Sequence, residues 1–212
     1  MANQKERKRV PFNFTYWLVV TNLGGGKSYM LERQMIENCA PTLAGLKTAN
    51  MFNYKFPSLD ALYRELETCN PTLESKGLHA EILKISESRA LIYVCRVSRL
   101  QNDLRKEGVS DLLKKYGYRT SNLAECLEHL KMRLQEYNCF PHEIGIFLDY
   151  PLSDVIGFIK HRGKNCKCCG IWKVYSNECE TKRLFARYKK CTDIYVEVFT
   201  RGRSLTQLTV AA

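Results

Sequence analysis

Three of the ten cysteines lie within four residues of one another, in the run KNCKCCG at 164–170. They are Cys166, Cys168 and Cys169, and two lysines in the run are expected to lower the thiol pKa values and favour thiolates. Thiolates bind zinc, copper(I) and iron–sulfur clusters, and they also carry redox chemistry. The chain has no further closely spaced cysteine pair and no H-x-x-x-H sequence to complete a standard metal site. Free cysteines that pack as small apolar side chains are the alternative interpretation.

Other candidate metal-binding or redox side chains come from outside this run. If the C-terminal third forms a parallel sheet, the KNCKCCG loop shares one edge of that sheet with Cys191, Cys139 and His142. The prediction is therefore a thiol-based metal or redox site at this edge, and the cofactor it implies is a metal ion bound by cysteines.

A second group of polar residues is suited to bind an anionic small molecule, such as a nucleotide or a phosphorylated metabolite. Hydroxyl groups, backbone amides at helix N-termini and guanidinium groups bind phosphate and carboxylate in proteins. The same parallel sheet would bring such groups to its opposite, carboxyl edge. The alternative is that the serines only cap helices, which contributes about 1 kcal/mol each. The predicted anion-binding residues are Ser153, Ser176, Asn177, Arg201, Arg203 and Ser204.

Near the start of the chain, three glycines precede Lys27 and Ser28, as in a phosphate-binding loop. The loop pattern requires a glycine where this chain has Thr21, and an ordinary glycine-rich turn is an alternative. We favour a third interpretation, in which adjacent glycine codons spell a ribosome-binding sequence and translation starts at Met30. Residues 1–29 are then a non-native or disordered extension, and residues 30–212 form a single α/β domain.

The elements that must position these groups follow from apolar periodicity. Residues 80–86 and 91–97 are apolar runs separated by the polar residues ESRA, which predicts a β-hairpin. Helical spacing predicts helices over 31–39, from Ser58 onward, in two pieces over about 98–115, and over 123–137.

The C-terminal third alternates short apolar runs with amphipathic stretches. This pattern predicts a β-α-β-α-β series, and such crossovers generally give a parallel sheet. The predicted fold class is α/β: a hairpin, a helical middle and this C-terminal series, with helices packed on the sheet. Its predicted strands are 144–148, 171–175 and 194–199, and its predicted helices are 153–161 and about 178–190.

Positive charge is concentrated at the C-terminal end. The chain carries 33 Lys and Arg against 22 Asp and Glu, and residues 151–212 hold 12 of the former and 5 of the latter. A solvated basic face is the preferred interpretation of this excess, and an anionic partner is the alternative. Nucleic acid is the less favoured partner because no RNP, KH or zinc-knuckle signature is present. No run of about 18 apolar residues exists, so no membrane partner is expected. We expect a cytoplasmic protein with reduced thiols.

Several long phrases of the chain resemble one bacterial family. They are CAPTLAGLKTANMF (39–52), FPHEIGIFLDYPLSDVIGFI (140–159), GKNCKCCGIWKVY (163–175), FARYKKCT (185–192) and GRSLTQLTV (202–210). The family is catalogued as domain of unknown function 3793. The resemblance implies a bacterial, soluble protein without an established activity, and it implies a beginning near Met30.

Overall fold

The computed structural model describes residues 30–136 and 140–212. Helices alternate with short strands along the described chain. The elements are α1 (Met30–Leu43), β1 (Ala49–Lys55), α2 (Leu59–Glu74), β2 (Leu78–Ser86), β3 (Arg89–Arg96), α3 (Val97–Arg105), α4 (Val109–Lys114), α5 (Leu123–Glu136), α6 (Ile144–Phe147), α7 (Leu152–His161), β4 (Cys168–Cys169), β5 (Lys173–Val174), α8 (Glu178–Thr200) and α9 (Leu205–Leu208).

The larger sheet has three antiparallel strands in the order β1-β3-β2, so β3 lies at its centre. Every β3 residue after Arg89 is buried, and successive strand side chains point to opposite faces. Both faces of the sheet are therefore covered. One apolar cluster lies under α1, α2, α8 and α9, and the other lies under α3 to α7. The first cluster holds Ala90, Ile92 and Val94, and the second holds Leu91, Tyr93 and Cys95.

The predictions for the first two thirds of the chain are confirmed in outline. The hairpin is β2 and β3, and its turn contains Glu87 in a left-handed conformation with φ 50°. Ser58 caps α2 by accepting a hydrogen bond from the Ala61 backbone N–H at 3.2 Å. Helix α1 continues through Pro41 instead of ending before it, and β1 has no counterpart in the prediction.

The mixed α/β class is confirmed, but the predicted parallel β-α-β-α-β series is wrong. Residues 144–148 form the short helix α6 instead of a strand, and residues 194–199 belong to α8. Within 171–175, only the two-residue strand β5 forms, and it pairs antiparallel with β4. Both sheets of the described chain are antiparallel, so the edge argument that grouped the candidate residues does not hold.

The β-branched run at 194–199 is helical because its apolar side chains continue a stripe of helical spacing. Tyr188, Cys191, Tyr195 and Phe199 lie three or four residues apart and are buried or partly buried, whereas Ile194 is exposed. Tyr195 and Phe199 pack on the cluster that α1 also contacts. Tertiary packing thus overrides the weak strand propensity of this segment.

Residues 144–147 are all buried, so the alternation or periodicity that separates a strand from a helix is missing there. Gly145 packs close to the next helix, because a side chain at this position would come within 2.8 Å of Val155. The close approach allows α6 and α7 to fold back on each other.

A buried arginine ties the end of the chain to the rest of the fold. The Arg96 guanidinium donates to the carbonyls of Thr42, Leu43 and Val210 at 2.8 to 2.9 Å. The Val210 backbone N–H donates in turn to the Leu43 carbonyl at 2.9 Å. The C-terminal residues are therefore part of the folded structure.

Among the helices of the described chain, we find none that combines the length and the apolar character needed to cross a lipid bilayer.

Candidate functional site

The fold brings two thiols of the KNCKCCG loop together. The Sγ atoms of Cys166 and Cys169 are 3.2 Å apart, with Cys166 partly buried and Cys169 exposed. Gly163 and Asn165 reverse the chain just before this pair, with φ angles of 73° and 57°. Glycine and asparagine adopt this left-handed conformation more readily than other residues. The pair has the spacing C-x-x-C, which the sequence analysis, treating the run as three similar thiols, did not single out.

The third thiol of the run takes a different place. Cys168 and Cys169 form β4, and neighbouring strand residues point to opposite faces. Cys168 packs against the aromatic cluster of Trp172 and Tyr188, whereas Cys169 faces Cys166. The loop therefore offers a dithiol and not a three-thiol site.

A buried carboxylate fixes the base of a second hairpin, which is formed by β4 and β5 and is called the dithiol hairpin below. The side chain of Asp154 in α7 accepts hydrogen bonds from Trp172 Nε1 at 2.8 Å and from Ser176 Oγ at 2.7 Å. It also accepts from the backbone N–H groups of Tyr175 and Ser176, each at 2.8 Å. Asp154 is only 2 % exposed, so these four donors compensate the burial of its charge. The carboxylate joins α7, β5 and the start of α8.

Two lysines near the thiol pair donate hydrogen bonds to backbone carbonyls. Lys173 Nζ donates to the Gly163 carbonyl at 2.7 Å, and Lys167 Nζ donates to the Ser176 carbonyl. Both ammonium groups therefore stay close to the hairpin, and they help to hold its two strands and the loop in place.

Burial raises the pKa of the Cys166 thiol, and the neighbouring Cys169 thiol raises it further, while Lys173 opposes both effects. Burial also raises the pKa of Cys168. The expectation that nearby lysines would lower these pKa values is therefore wrong for both thiols. Desolvation of the thiolate outweighs the attraction to Lys173 at Cys166 and to Lys182 at Cys168.

The other predicted thiol-site residues lie apart from this pair. Cys191 is buried in α8, and His142 is exposed and packs edge-on against the Phe158 ring at 5.1 Å. Cys139 lies outside the described residues. In the two described stretches, no group of three or more His, Cys, Asp or Glu side chains is placed to hold a metal ion.

The predicted anion-binding residues are divided between the two ends of α8. Ser176 and Asn177 precede this helix, and Arg201 and Arg203 follow it. A helix of 23 residues is about 35 Å long, so these groups cannot contact one small anion together.

Most of these side chains have local partners. Ser153 is exposed in the first turn of α7 and is not its N-cap, which is Pro151. Arg201 pairs with Glu197, and Ser204 caps α9. Lys27 and Ser28 of the proposed phosphate-binding loop lie outside the described residues.

Sequence reasoning missed a buried lysine. Lys47 is 1 % exposed, and its Nζ lies 5.2 Å from the centroid of the Tyr150 ring. Burial lowers the pKa of Lys47 from 10.5 to about 8, although Asp149 partly opposes this effect. The only sequence signal is one lysine within the mostly apolar stretch LAGLKTANMF.

Asp149 links this lysine to the surface. The backbone of Asp149 is left-handed with φ 61°, and its carboxylate accepts from the Thr48 backbone N–H at 3.0 Å. Arg99 lies 3.6 Å from the same carboxylate oxygen. Tyr150, the next residue, stacks on Trp172 with a centroid distance of 4.7 Å, so the lysine and the hairpin share one aromatic cluster.

A comparison with protein families shows the family to which the chain belongs. The family described as "Protein of unknown function (DUF3793)" matches residues 35–209. The chain belongs to the DUF3793 family. No curated protein and no solved structure matches it. The DUF3793 region includes the dithiol hairpin, Asp154 and Lys47, and the family description names no activity.

Proposed function

We propose that this DUF3793 protein is a thiol–disulfide redox protein that acts through Cys166 and Cys169. The observation that carries the proposal is the Sγ–Sγ distance of 3.2 Å. A disulfide has an S–S length of about 2.05 Å, so the sulfur atoms need to approach by only about 1.2 Å. Cys166 directly follows the left-handed residues Gly163 and Asn165, and Cys169 lies in β4, so the turn between them already brings the two sulfur atoms close together.

The two thiols have different roles in this chemistry. Cys169 is exposed and is the sulfur that a small-molecule disulfide reaches first. Its thiolate attacks that disulfide, forms a mixed disulfide and releases one thiolate. Cys166, whose proton is lost to solvent, then attacks Cys169 Sγ and expels the second thiolate. Two electrons pass to the small molecule, and one S–S bond is exchanged for another.

The surroundings of the pair suit a reversible switch. Asp154 of α7 holds the base of the dithiol hairpin beside α7 and the start of α8, so we expect disulfide formation to alter the packing of the hairpin on these two helices. A reducing compartment keeps such a pair as thiols until an oxidant appears. We accordingly also propose a cytoplasmic location.

The test is a redox titration of the full chain. The protein is equilibrated in mixtures of reduced and oxidised dithiothreitol, quenched with acid, alkylated and mapped by mass spectrometry. We expect a Cys166–Cys169 disulfide that forms and disappears reversibly with the potential. Cys169→Ser should abolish this disulfide and leave Cys166 alkylated.

Cys179→Ser is the matched control, because Cys179 is also exposed but lies in α8. This variant should form the same disulfide at the same potential. Complete alkylation of Cys166 and Cys169 in fully oxidised dithiothreitol, or a disulfide to another cysteine, would contradict the proposal.

A further inference from the structure

We propose that the reduced Cys166–Cys169 pair is half of a zinc site and that a second copy of the chain supplies the other half. The inference rests on the same dithiol as the proposed function, but it adds a metal and a partner. A C-x-x-C pair on a tight turn is the usual way in which a protein presents two sulfur ligands to one zinc ion.

The sulfur positions suit a shared metal. Two sulfur ligands at about 2.3 Å from a tetrahedral zinc ion are about 3.8 Å apart. The observed separation of 3.2 Å therefore has to open by about 0.6 Å, a smaller movement than closure to a disulfide requires. Zinc binding releases the thiol protons, so the raised pKa of Cys166 makes the affinity depend on pH but does not prevent binding.

One copy of the described chain does not complete the site. A structural zinc ion takes four protein ligands, and residues 30–136 with 140–212 place no third His, Cys, Asp or Glu beside the pair. Cys168, the nearest thiol in sequence, packs against the aromatic cluster on the other face of β4. Two further sulfur atoms must come from elsewhere, and an identical hairpin is the simplest source.

The exposure and charge of the loop favour this arrangement. Cys169 is exposed, so a second hairpin can approach it directly. A zinc ion with four thiolates has a net charge of −2, and each copy contributes the positive charges of Lys164, Lys167 and Lys173 around it. Without the metal, these lysines repel one another, so the two copies are expected to separate.

The experiment titrates zinc into the reduced full chain and measures molecular mass by light scattering and bound metal by elemental analysis. We expect a monomer without zinc, and a dimer with one zinc ion per two chains after addition. Cobalt(II) in place of zinc should give the intense sulfur-to-metal charge-transfer absorption of a tetrathiolate site.

Cys166→Ser and Cys169→Ser should each abolish both the dimer and the bound metal, whereas Cys179→Ser should retain them. Circular dichroism checks that each variant is folded. A protein that stays monomeric with zinc, that binds one zinc ion per chain, or that dimerises equally well as Cys169→Ser would overturn the proposal.

The outcomes also separate this inference from the redox proposal. A reversible disulfide without zinc-dependent dimers would overturn only the zinc site. Zinc-dependent dimers in a chain whose Cys166 and Cys169 never form a disulfide would overturn only the redox function.

Discussion

At the scale of residues, two buried charges are compensated in different ways. Asp154 accepts four hydrogen bonds, two from side chains and two from the backbone. The Lys47 ammonium instead lies over the Tyr150 ring and is attracted by the Asp149 carboxylate. Desolvation of the ammonium outweighs the attraction to Asp149, so burial lowers the pKa of Lys47. We therefore expect the Lys47 charge to destabilise the folded chain and the Asp154 side chain to stabilise it.

The stability contribution of Lys47 should depend on pH. Its pKa is about 8 in the folded chain and about 10.5 in the unfolded chain, so protonation favours unfolding. The destabilisation caused by the protonated Lys47 side chain is fully present below pH 8 and disappears as the pH rises toward 10.5. Between pH 7 and pH 10, wild type should gain roughly 2 to 3 kcal/mol in the free energy of unfolding relative to Lys47→Met.

Urea unfolding of both proteins at several pH values measures this difference. The comparison cancels the ionisation of tyrosines, which affects both proteins alike. Lys55→Met, at an exposed position of β1, is the control and should show no such trend. A constant difference between wild type and Lys47→Met across the pH range would contradict the prediction.

Asp154→Ala should destabilise the protein by about 3 kcal/mol or more, because it leaves buried donors of Trp172, Tyr175 and Ser176 without an acceptor. Urea unfolding at pH 7 measures the loss. Ser153→Ala is the matched control, since Ser153 is the exposed neighbour in the same helical turn, and it should change stability by less than about 0.5 kcal/mol. Equal effects of the two substitutions would contradict the structural role of Asp154.

At the scale of elements, α8 is the clearest difference between expectation and structure. Its first half was predictable from an amphipathic pattern, whereas its second half contains Ile194, Val196 and Val198, which favour strands. The stripe from Tyr188 to Phe199 carries the correct signal, because it keeps the helical period through the β-branched residues. Giving the helical spacing of these apolar residues more weight than the strand propensity of the β-branched residues would have extended the predicted helix to the end of α8.

A substitution at Ile194 tests that this segment is helical. Ile194 is 46 % exposed, so little packing is lost when its side chain is shortened. In a helix, Ile194→Ala should be neutral or stabilising by a few tenths of a kcal/mol, and Ile194→Gly should be about 1 kcal/mol less stable than Ile194→Ala. Thermal unfolding followed by circular dichroism ranks the three proteins. A marked loss of stability in Ile194→Ala would indicate a strand.

At the scale of the whole molecule, the prediction failed where it needed long-range topology. The β2–β3 hairpin and the amphipathic helices follow from local patterns, and these elements are present. Two of the three predicted C-terminal strands are helical, and the third pairs antiparallel with β4. Helix or strand at such short apolar runs, and the direction of strand pairing, depend on contacts between distant segments, which spacing along the chain does not encode. The residues of the predicted anion site are therefore far apart, since Arg201 and Arg203 follow the C-terminal end of α8 and Ser176 precedes its N-terminal end.

The thiol pair survived this error because its members are local. Cys166 and Cys169 are three residues apart, so their proximity needs only a tight turn and not a correct sheet. Lys47 and Asp149, in contrast, are neighbours only because the connection between α1 and β1 contacts the residues that follow α6 in the folded chain. The local sequence around Lys47 or Asp149 does not predict that the two side chains are close.

The three carbonyl contacts of Arg96 have a practical consequence for handling the protein. One acceptor, the Val210 carbonyl, lies two residues before Ala212, and the Ala212 backbone N–H donates to the Lys76 carbonyl. A purification tag fused after Ala212 would have to leave these hydrogen bonds intact, and removing the last three residues would take one of the three acceptors from the buried Arg96 guanidinium. Affinity handles for every assay above therefore belong at the amino-terminal side.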